Sequence, residues 1–191
     1  MTNNHSDSSS APSTRLRVGL GGSCHWCTEA IFQSLNGVTR VQQGWLSAAD
    51  QDDFFSEGVL IEYDARIISL HTLIEIHLYT HSSTAKHSMR HKYRSAIYSM
   101  SEPQAAMARA SIAALQAEFT QPIITEVCSF VAFRENSEAY RNYYFQNPHR
   151  PFCTSYIHPK LRLLQARFTQ HLDQQKVAVI EADPPILVPS S

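Results

Sequence analysis

Long apolar runs are missing from this 191-residue sequence: none approaches the roughly 18 residues that a membrane helix needs. Its first 13 residues are polar and serine-rich, unlike the basic and then apolar opening of a secretory leader. A soluble, cytoplasmic protein without a membrane partner is therefore expected. An excess of one charge is missing too, since 16 Lys and Arg stand against 17 Asp and Glu with no basic cluster or acidic run, which argues against a nucleic-acid partner. Cysteine is scarce. Cys24, Cys27, Cys128 and Cys153 are too few to staple a chain of this length, and a reducing compartment keeps them as thiols unless chemistry uses them. No internal repeat is present.

What the chain does have is 43% hydrophobic residues, with nine Phe, eight Tyr and two Trp, enough for one sizeable core and so for one domain. That domain is expected over 15–175. Residues 1–14 lack a hydrophobic period, and a Pro-rich stretch opens at Asp183-Pro184-Pro185, so 1–14 and 176–191 read as disordered tails. Between them the patterning predicts strands near 15–20, 38–46, 58–63, 95–99 and 122–127. Helices are predicted near 26–35, 69–78, 103–119, 137–145 and 159–172. Such alternation makes an α+β domain, an α/β sandwich whose mixed sheet is flanked by helices.

The sharpest segment is Arg15 to Leu35. An apolar run enters Gly21-Gly22-Ser23 and emerges as Cys24-His25-Trp26-Cys27, which reads as strand, tight turn and helix with a cysteine at the helix mouth. Unpaired backbone N–H groups and the positive end of the helix dipole favour thiolate there, lowering the pKa below its ordinary value of about 8.5. The same four residues form a C-x-x-C, as in thioredoxin-type disulfide oxidoreductases, although the Gly-Pro centre usual in that class is absent. A disulfide oxidoreductase using Cys24 and Cys27 is thus the rival reading.

With these residues the sequence resembles the A-class peptide methionine sulfoxide reductases. The family's G-C-F-W-[GC] segment is matched by Ser23 to Cys27. Glu57 to Asp64, Tyr93 to Tyr98, Ile124 to Glu126, and Asn147 to Cys153 running on to Pro159-Lys160-Leu161 follow in the family's order. The resemblance implies a ferredoxin-like fold and reduction of methionine S-sulfoxide, free or in protein, to methionine. It also implies a monomer with no bound cofactor and no metal, and thioredoxin (or dithiothreitol in vitro) as the external reductant. Carried onto this chain, Cys24 attacks the sulfoxide sulfur, Glu57 protonates its oxygen and Tyr93 supports that hydrogen bond, while Trp26 packs on the substrate methyl group. A sulfenic acid on Cys24 then needs a second thiol. Cys153 matches the family's recycling cysteine, and Cys27 is the nearer alternative. Beside the rival disulfide oxidoreductase, a third reading is a catalytically weakened descendant that binds methionine or its sulfoxide.

Four positions depart from the pattern: Ser23 stands for Gly, His25 for Phe, and His87-Ser88 for Asn-Asp. The loop before Glu57 is also short and lacks the family's tyrosine. Phe54 and Phe55 occupy its place, and with Trp26 they are expected to make an apolar pocket that holds Glu57 neutral, since burial disfavours the charged form. His25 either stabilises the Cys24 thiolate or fills the place of the missing ring. The histidines at 71, 77, 81, 87 and 91 include pairs four apart, the spacing of helical metal ligands, but without H-E-x-x-H they read as a hydrogen-bonded or solvated cluster. Glu29 and Glu126 read as surface or helix-N-terminal carboxylates without a catalytic role, Cys128 as a buried strand residue, and Tyr140, Tyr143 and Tyr144 as one face of a helix.

Overall fold

The computed structural model of the chain describes residues 15–50 and 54–176. The expected tails lie outside the described residues except for Lys176, whose Nζ donates to the Gln33 carbonyl at 2.8 Å. The described residues form five strands and five helices, in the order β1 (Arg15–Gly21), α1 (His25–Gln33), β2 (Val38–Ala48), β3 (Ser56–Asp64), α2 (Leu70–Thr80), β4 (Ala96–Ser99), α3 (Glu102–Leu115), β5 (Glu126–Glu135), α4 (Tyr143–Gln146) and α5 (His158–Phe168).

Strand β3 pairs antiparallel with both β1 and β2, and β4 pairs antiparallel with β1, giving the order β4-β1-β3-β2 of a ferredoxin-like sheet. Strand β5 then runs antiparallel to β2 and parallel to β4, so the sheet curls into a closed ring, β1-β3-β2-β5-β4. The sheet is mixed and helix-flanked, as expected, and the ring leaves none of these five strands as an edge. Strand β3 is buried on both faces because one lies within the ring and the other beneath the helices.

Val18, Leu20, Val59, Ile61 and Ile97 meet Ala30, Ile31, Phe32, Leu73, Ile74 and Leu161 in the main core. Leu46, Ala48, Ala96, Tyr98 and Cys128 form a smaller cluster on the opposite sheet face. Gly44 is required by this closure, since a Cβ on it would lie 2.1 Å from the Arg134 carbonyl oxygen of β5.

Three boundaries differ from expectation. The last strand begins at Glu126, and the expected 122–127 segment mostly leads into it, because Ile123 is held by the Gln116 side chain at 2.9 Å and Ile124 by the Ser83 carbonyl at 2.8 Å. The expected helix at 137–145 breaks at Asn142, whose φ of 53° separates a turn at Glu138–Tyr140 from the single turn of α4. The last helix is preceded by a wide π-helical turn, Cys153–Ile157.

Two of the clustered histidines sit inside the fold. His77 Nε2 meets the Gly21 carbonyl at 2.9 Å, and His81 Nε2 meets Ser95 Oγ at 2.8 Å. Their rings stack at 4.0 Å behind the turn that precedes Cys24. Among the described residues no helix is long and apolar enough to cross a membrane.

Candidate active site

Strand β1 ends at Gly21, and Gly22 turns the chain with a φ of +137°, a conformation that needs glycine. Cys24 caps the helix that follows: its carbonyl accepts the N–H groups of Cys27 at 3.1 Å and Thr28 at 3.2 Å. The sulfur is thereby held at the N-terminus of α1, as the sequence predicts. A hydrogen bond from the Cys27 thiol lowers the Cys24 pKa to about 6, helped by the Trp26 backbone N–H and by His25 and opposed by burial and by Glu57. Cys27 pays the converse: donating to Cys24, and 3% exposed, it is pushed far above an ordinary thiol.

Cys24 stands where two open clefts meet. One, of about 430 Å³, is lined by Cys24, His25, Trp26, Trp45, Glu57, Lys92, Tyr93, Asn136, Tyr140 and Phe152. The other, of about 320 Å³, carries Cys24 and Cys27 with Tyr93, Tyr156 and Lys160. A separate groove of about 410 Å³ beside Arg40 and Phe145 has neither a thiol nor a carboxyl among its described lining residues. The structure therefore gathers Cys24, His25, Trp26, Glu57 and Tyr93 in one place.

Phe54 and Phe55 are not part of that gathering. Neither lines the cleft with Glu57 among the described residues; Phe55 lies under the Arg134 guanidinium at 3.8 Å and Phe54 is 37% exposed. The register explains the exchange, because the residue directly across from Glu57 is Trp45 of β2, and its indole takes the wall expected of the phenylalanines. Trp26 is packed as well as exposed to the cleft: it stacks on Tyr143 at 4.1 Å, meets Phe152 edge-on at 5.3 Å and donates its indole N–H to the Tyr140 carbonyl at 3.0 Å.

Glu57 does not have the expected neutral character. It is only 4% exposed, and burial does act to raise its pKa, but His25 and Lys92 beside it more than offset burial, so the carboxylate is favoured. Oε1 is 3.0 Å from Lys92 Nζ. Oε2 is 3.0 Å from His25 Nδ1, off the direction of an ideal N–H bond, and accepts the His25 backbone N–H at 3.4 Å.

Sequence reasoning missed the residues that support this arrangement. Glu29, expected as a surface or helix-N-terminal carboxylate, is 2% exposed and accepts Gln43 Nε2 at 2.7 Å and the Asn142 N–H at 2.8 Å, tying α1 to β2 and to the segment before α4. Asn136, just past β5, bonds His25, Gln43 and Trp45. Lys92 abuts the family segment that starts at Tyr93, and Lys160 lies within Pro159-Lys160-Leu161; those positions were the available signal. Burial lowers the Lys160 pKa while Cys27 and Cys24 act to raise it, so this amine senses both thiols. Cys153 is fully buried, with Sγ 3.6 Å from the Asn147 carbonyl, and it is near enough to Cys27 to act on it electrostatically.

Solved structures share this fold. Mxr1 from Saccharomyces cerevisiae in reduced form superposes with a TM-score of 0.67 at 19% identity, covering 76% of this chain and 93% of that one. Methionine sulfoxide reductase A of Corynebacterium diphtheriae gives 0.62 at 19% identity, covering 71% and 76%. Both matches show the fold. In sequence, the peptide methionine sulfoxide reductase MsrA of Chromobacterium violaceum is 36% identical over 169 residues, 80% of this chain and 96% of the relative. That of Polynucleobacter asymbioticus is 30% identical, over 81% and 90%. The disulfide-oxidoreductase alternative is not favoured by these matches. With the model of the peptide methionine sulfoxide reductases matching residues 17–172, across every element that builds the cleft, the chain belongs to that family.

Proposed function

We propose that the chain reduces methionine S-sulfoxide to methionine with Cys24 as nucleophile, the substrate lying in the cleft that Cys24 shares with Trp26, Glu57 and Tyr93. The observation that carries this reading is the Cys24 thiol at the mouth of α1, its pKa lowered to about 6, beside a buried Glu57 and the Tyr93 phenol. Thiolate attack on the sulfoxide sulfur leaves a sulfenic acid on Cys24 and thioether on the substrate. Trp26, Trp45 and Phe152 provide the apolar wall for the methyl group, and Tyr93 donates to the sulfoxide oxygen.

Cys27 is the thiol in contact with Cys24, so it captures the sulfenic acid first, expelling water as the disulfide forms. Cys153 lies behind Cys27 and receives the disulfide next, which brings the oxidised pair toward the 146–158 segment. A thioredoxin-like dithiol then restores the thiols. Such a partner is seen with the related fold of Mxr1, which was solved in complex with Trx2 at a TM-score of 0.55 and 19% identity. The cycle needs no bound cofactor, and one chain supplies every group used, which supports a monomer. Dependence on an external dithiol supports a reducing, cytoplasmic setting.

The test is dithiothreitol-dependent turnover of the separate S and R epimers of a blocked methionine sulfoxide. Reduction confined to the S epimer and lost in Cys24→Ser is the expected result. Reduction of neither epimer, with a small disulfide reduced instead through Cys24 and Cys27, sinks the reading.

A further inference from the structure

Once Cys24 has become a sulfenic acid, the surroundings that govern Cys27 change. In the reduced pair the Cys27 hydrogen is turned to Cys24, and both that bond and the negative charge of Cys24 hold it in place. Oxidation puts a neutral sulfenic acid where the thiolate stood, so both influences end when Cys27 has to act. Burial and Cys153 still oppose a Cys27 thiolate, whereas Lys160 favours it. The fold fixes a cation at that place. Lys160 stands in the first turn of α5, and its Nζ donates to the Thr80 carbonyl at the end of α2, where the helix dipole favours positive charge. Its side chain lines the cleft of about 320 Å³ that holds Cys24 and Cys27, and it is the only Lys or Arg among the described residues there. Arg90 packs close by, but its guanidinium is turned to the carbonyls of Gly22, Ser82, Ala85 and Tyr93.

We propose that Lys160 is a positioning residue for the second half of the cycle, its ammonium holding Cys27 as the thiolate that attacks the Cys24 sulfenic acid. The inference rests on Cys24 being the sulfur that the sulfoxide oxidises and Cys27 the thiol that captures it. In the step, Cys27 gives its proton to solvent water, its sulfur bonds to the Cys24 sulfur, and the S–O bond of the sulfenic acid breaks. The departing hydroxide takes a proton back from solvent and leaves as water. Thiol and sulfenic acid thus become disulfide and water. The Cys27 sulfur is oxidised and the Cys24 sulfur reduced, formally by one electron each, and Lys160 keeps its proton throughout.

Reduced protein mixed with one equivalent of the S epimer and no dithiol tests this, with samples quenched in dimedone to follow the Cys24 sulfenic acid by mass spectrometry across pH. Wild type is compared with Lys160→Gln, Lys160→Met and Lys160→Arg. Losing an adjacent opposite charge raises a pKa by about 1 to 3, so the pH midpoint of disulfide formation is expected to rise that far in the two neutral variants. A more basic thiolate is also more nucleophilic, with a Brønsted slope of about 0.5, so the step at neutral pH slows by about 3- to 30-fold. Lys160→Arg keeps the charge and is expected to keep the wild-type midpoint. The titratable neighbours are the same in every variant: Cys24, Cys153, His87, Tyr93 and Tyr156 around the cleft, with His77 and His81 of α2, on which Lys160 also acts. A wild-type midpoint in Lys160→Gln, or a midpoint in Lys160→Arg raised as far as in Lys160→Gln, overturns the proposal. Because Gln keeps a donor for the Thr80 carbonyl, that variant remains informative if Lys160→Met misfolds, and slowing in Lys160→Met alone assigns Lys160 to structure and overturns the proposal too. Wild type that releases no methionine defeats the sulfoxide reading instead. Hydrogen peroxide then forms the sulfenic acid on Cys24, and the same comparison still reads Lys160.

Discussion

At the scale of single residues, the Cys24 thiol is set by its contacts as much as by its place on the helix. Thiolate is the form above the pKa, so alkylation of Cys24 by iodoacetamide is expected to rise through a midpoint near pH 6 and to level off by neutrality, where an ordinary thiol is still mostly protonated. Removing the leading donor with Cys27→Ala is expected to move that midpoint upward. A wild-type midpoint in the usual thiol range, read by mass spectrometry of the labelled peptide, contradicts the assigned environment. Cys24 was legible in the sequence because its signal is local: a strand, a tight Gly-Gly turn and a helix start. Glu57 was legible as a site residue but not in its charge, since the two groups that favour the carboxylate come from 32 residues before it and 35 after. The phenylalanines at 54 and 55 misled for the same reason, as hydrophobicity is written in the sequence and cross-strand register is not.

At the scale of elements, the entry into α1 is a strained turn supported from below. A Cβ at Gly22 would lie 2.6 Å from His81 Cδ2 and 2.9 Å from its Nε2, on a backbone whose φ of +137° side chains rarely adopt. Gly22→Ala is therefore expected to cost about 1 to 3 kcal/mol in urea unfolding, and to lose much of the reductase rate because the Cys24 sulfur shifts with the turn. Wild-type stability and turnover in this variant remove the turn from the mechanism. The helices and strands through Leu115 were readable from periodicity, and the structure adds the caps: Ser69 and Ser101 cap α2 and α3, accepting the N–H groups of Thr72 and Gln104. Beyond them the reading weakened where aromatics and prolines crowd. The helix expected around Tyr143 yields to a break at Asn142, whose backbone N–H is claimed by Glu29, a long-range bond without trace in the local pattern.

For the molecule as a whole, acid is the predicted weakness. Burial holds the His77 pKa down to about 4 and that of His81 well below its ordinary value, with Lys160 and Arg90 adding to the effect on both. A histidine that stays neutral when folded binds its proton more readily when unfolded. The associated stability is thus complete above about pH 6.5 and is lost as pH falls from there toward 4. For His77 alone the loss between pH 7.5 and pH 5 is about 2 kcal/mol. Urea midpoints at the two pH values measure it, and no drop at pH 5 beyond that of a His77→Leu variant contradicts the assignment. Alternation of strands and helices revealed the fold class, but not that β5 closes the sheet into a ring, because that depends on pairing between residues 44–48 and 130–135. The ring has a consequence for synthesis. Strand β1, carrying Cys24 at its end, leaves the ribosome early, yet the sheet cannot shut until residue 135 has followed, and Phe152 and Cys153 come later still. A nascent chain therefore carries Cys24 and Cys27 exposed side by side before it has built the walls of the cleft or delivered Cys153 behind them.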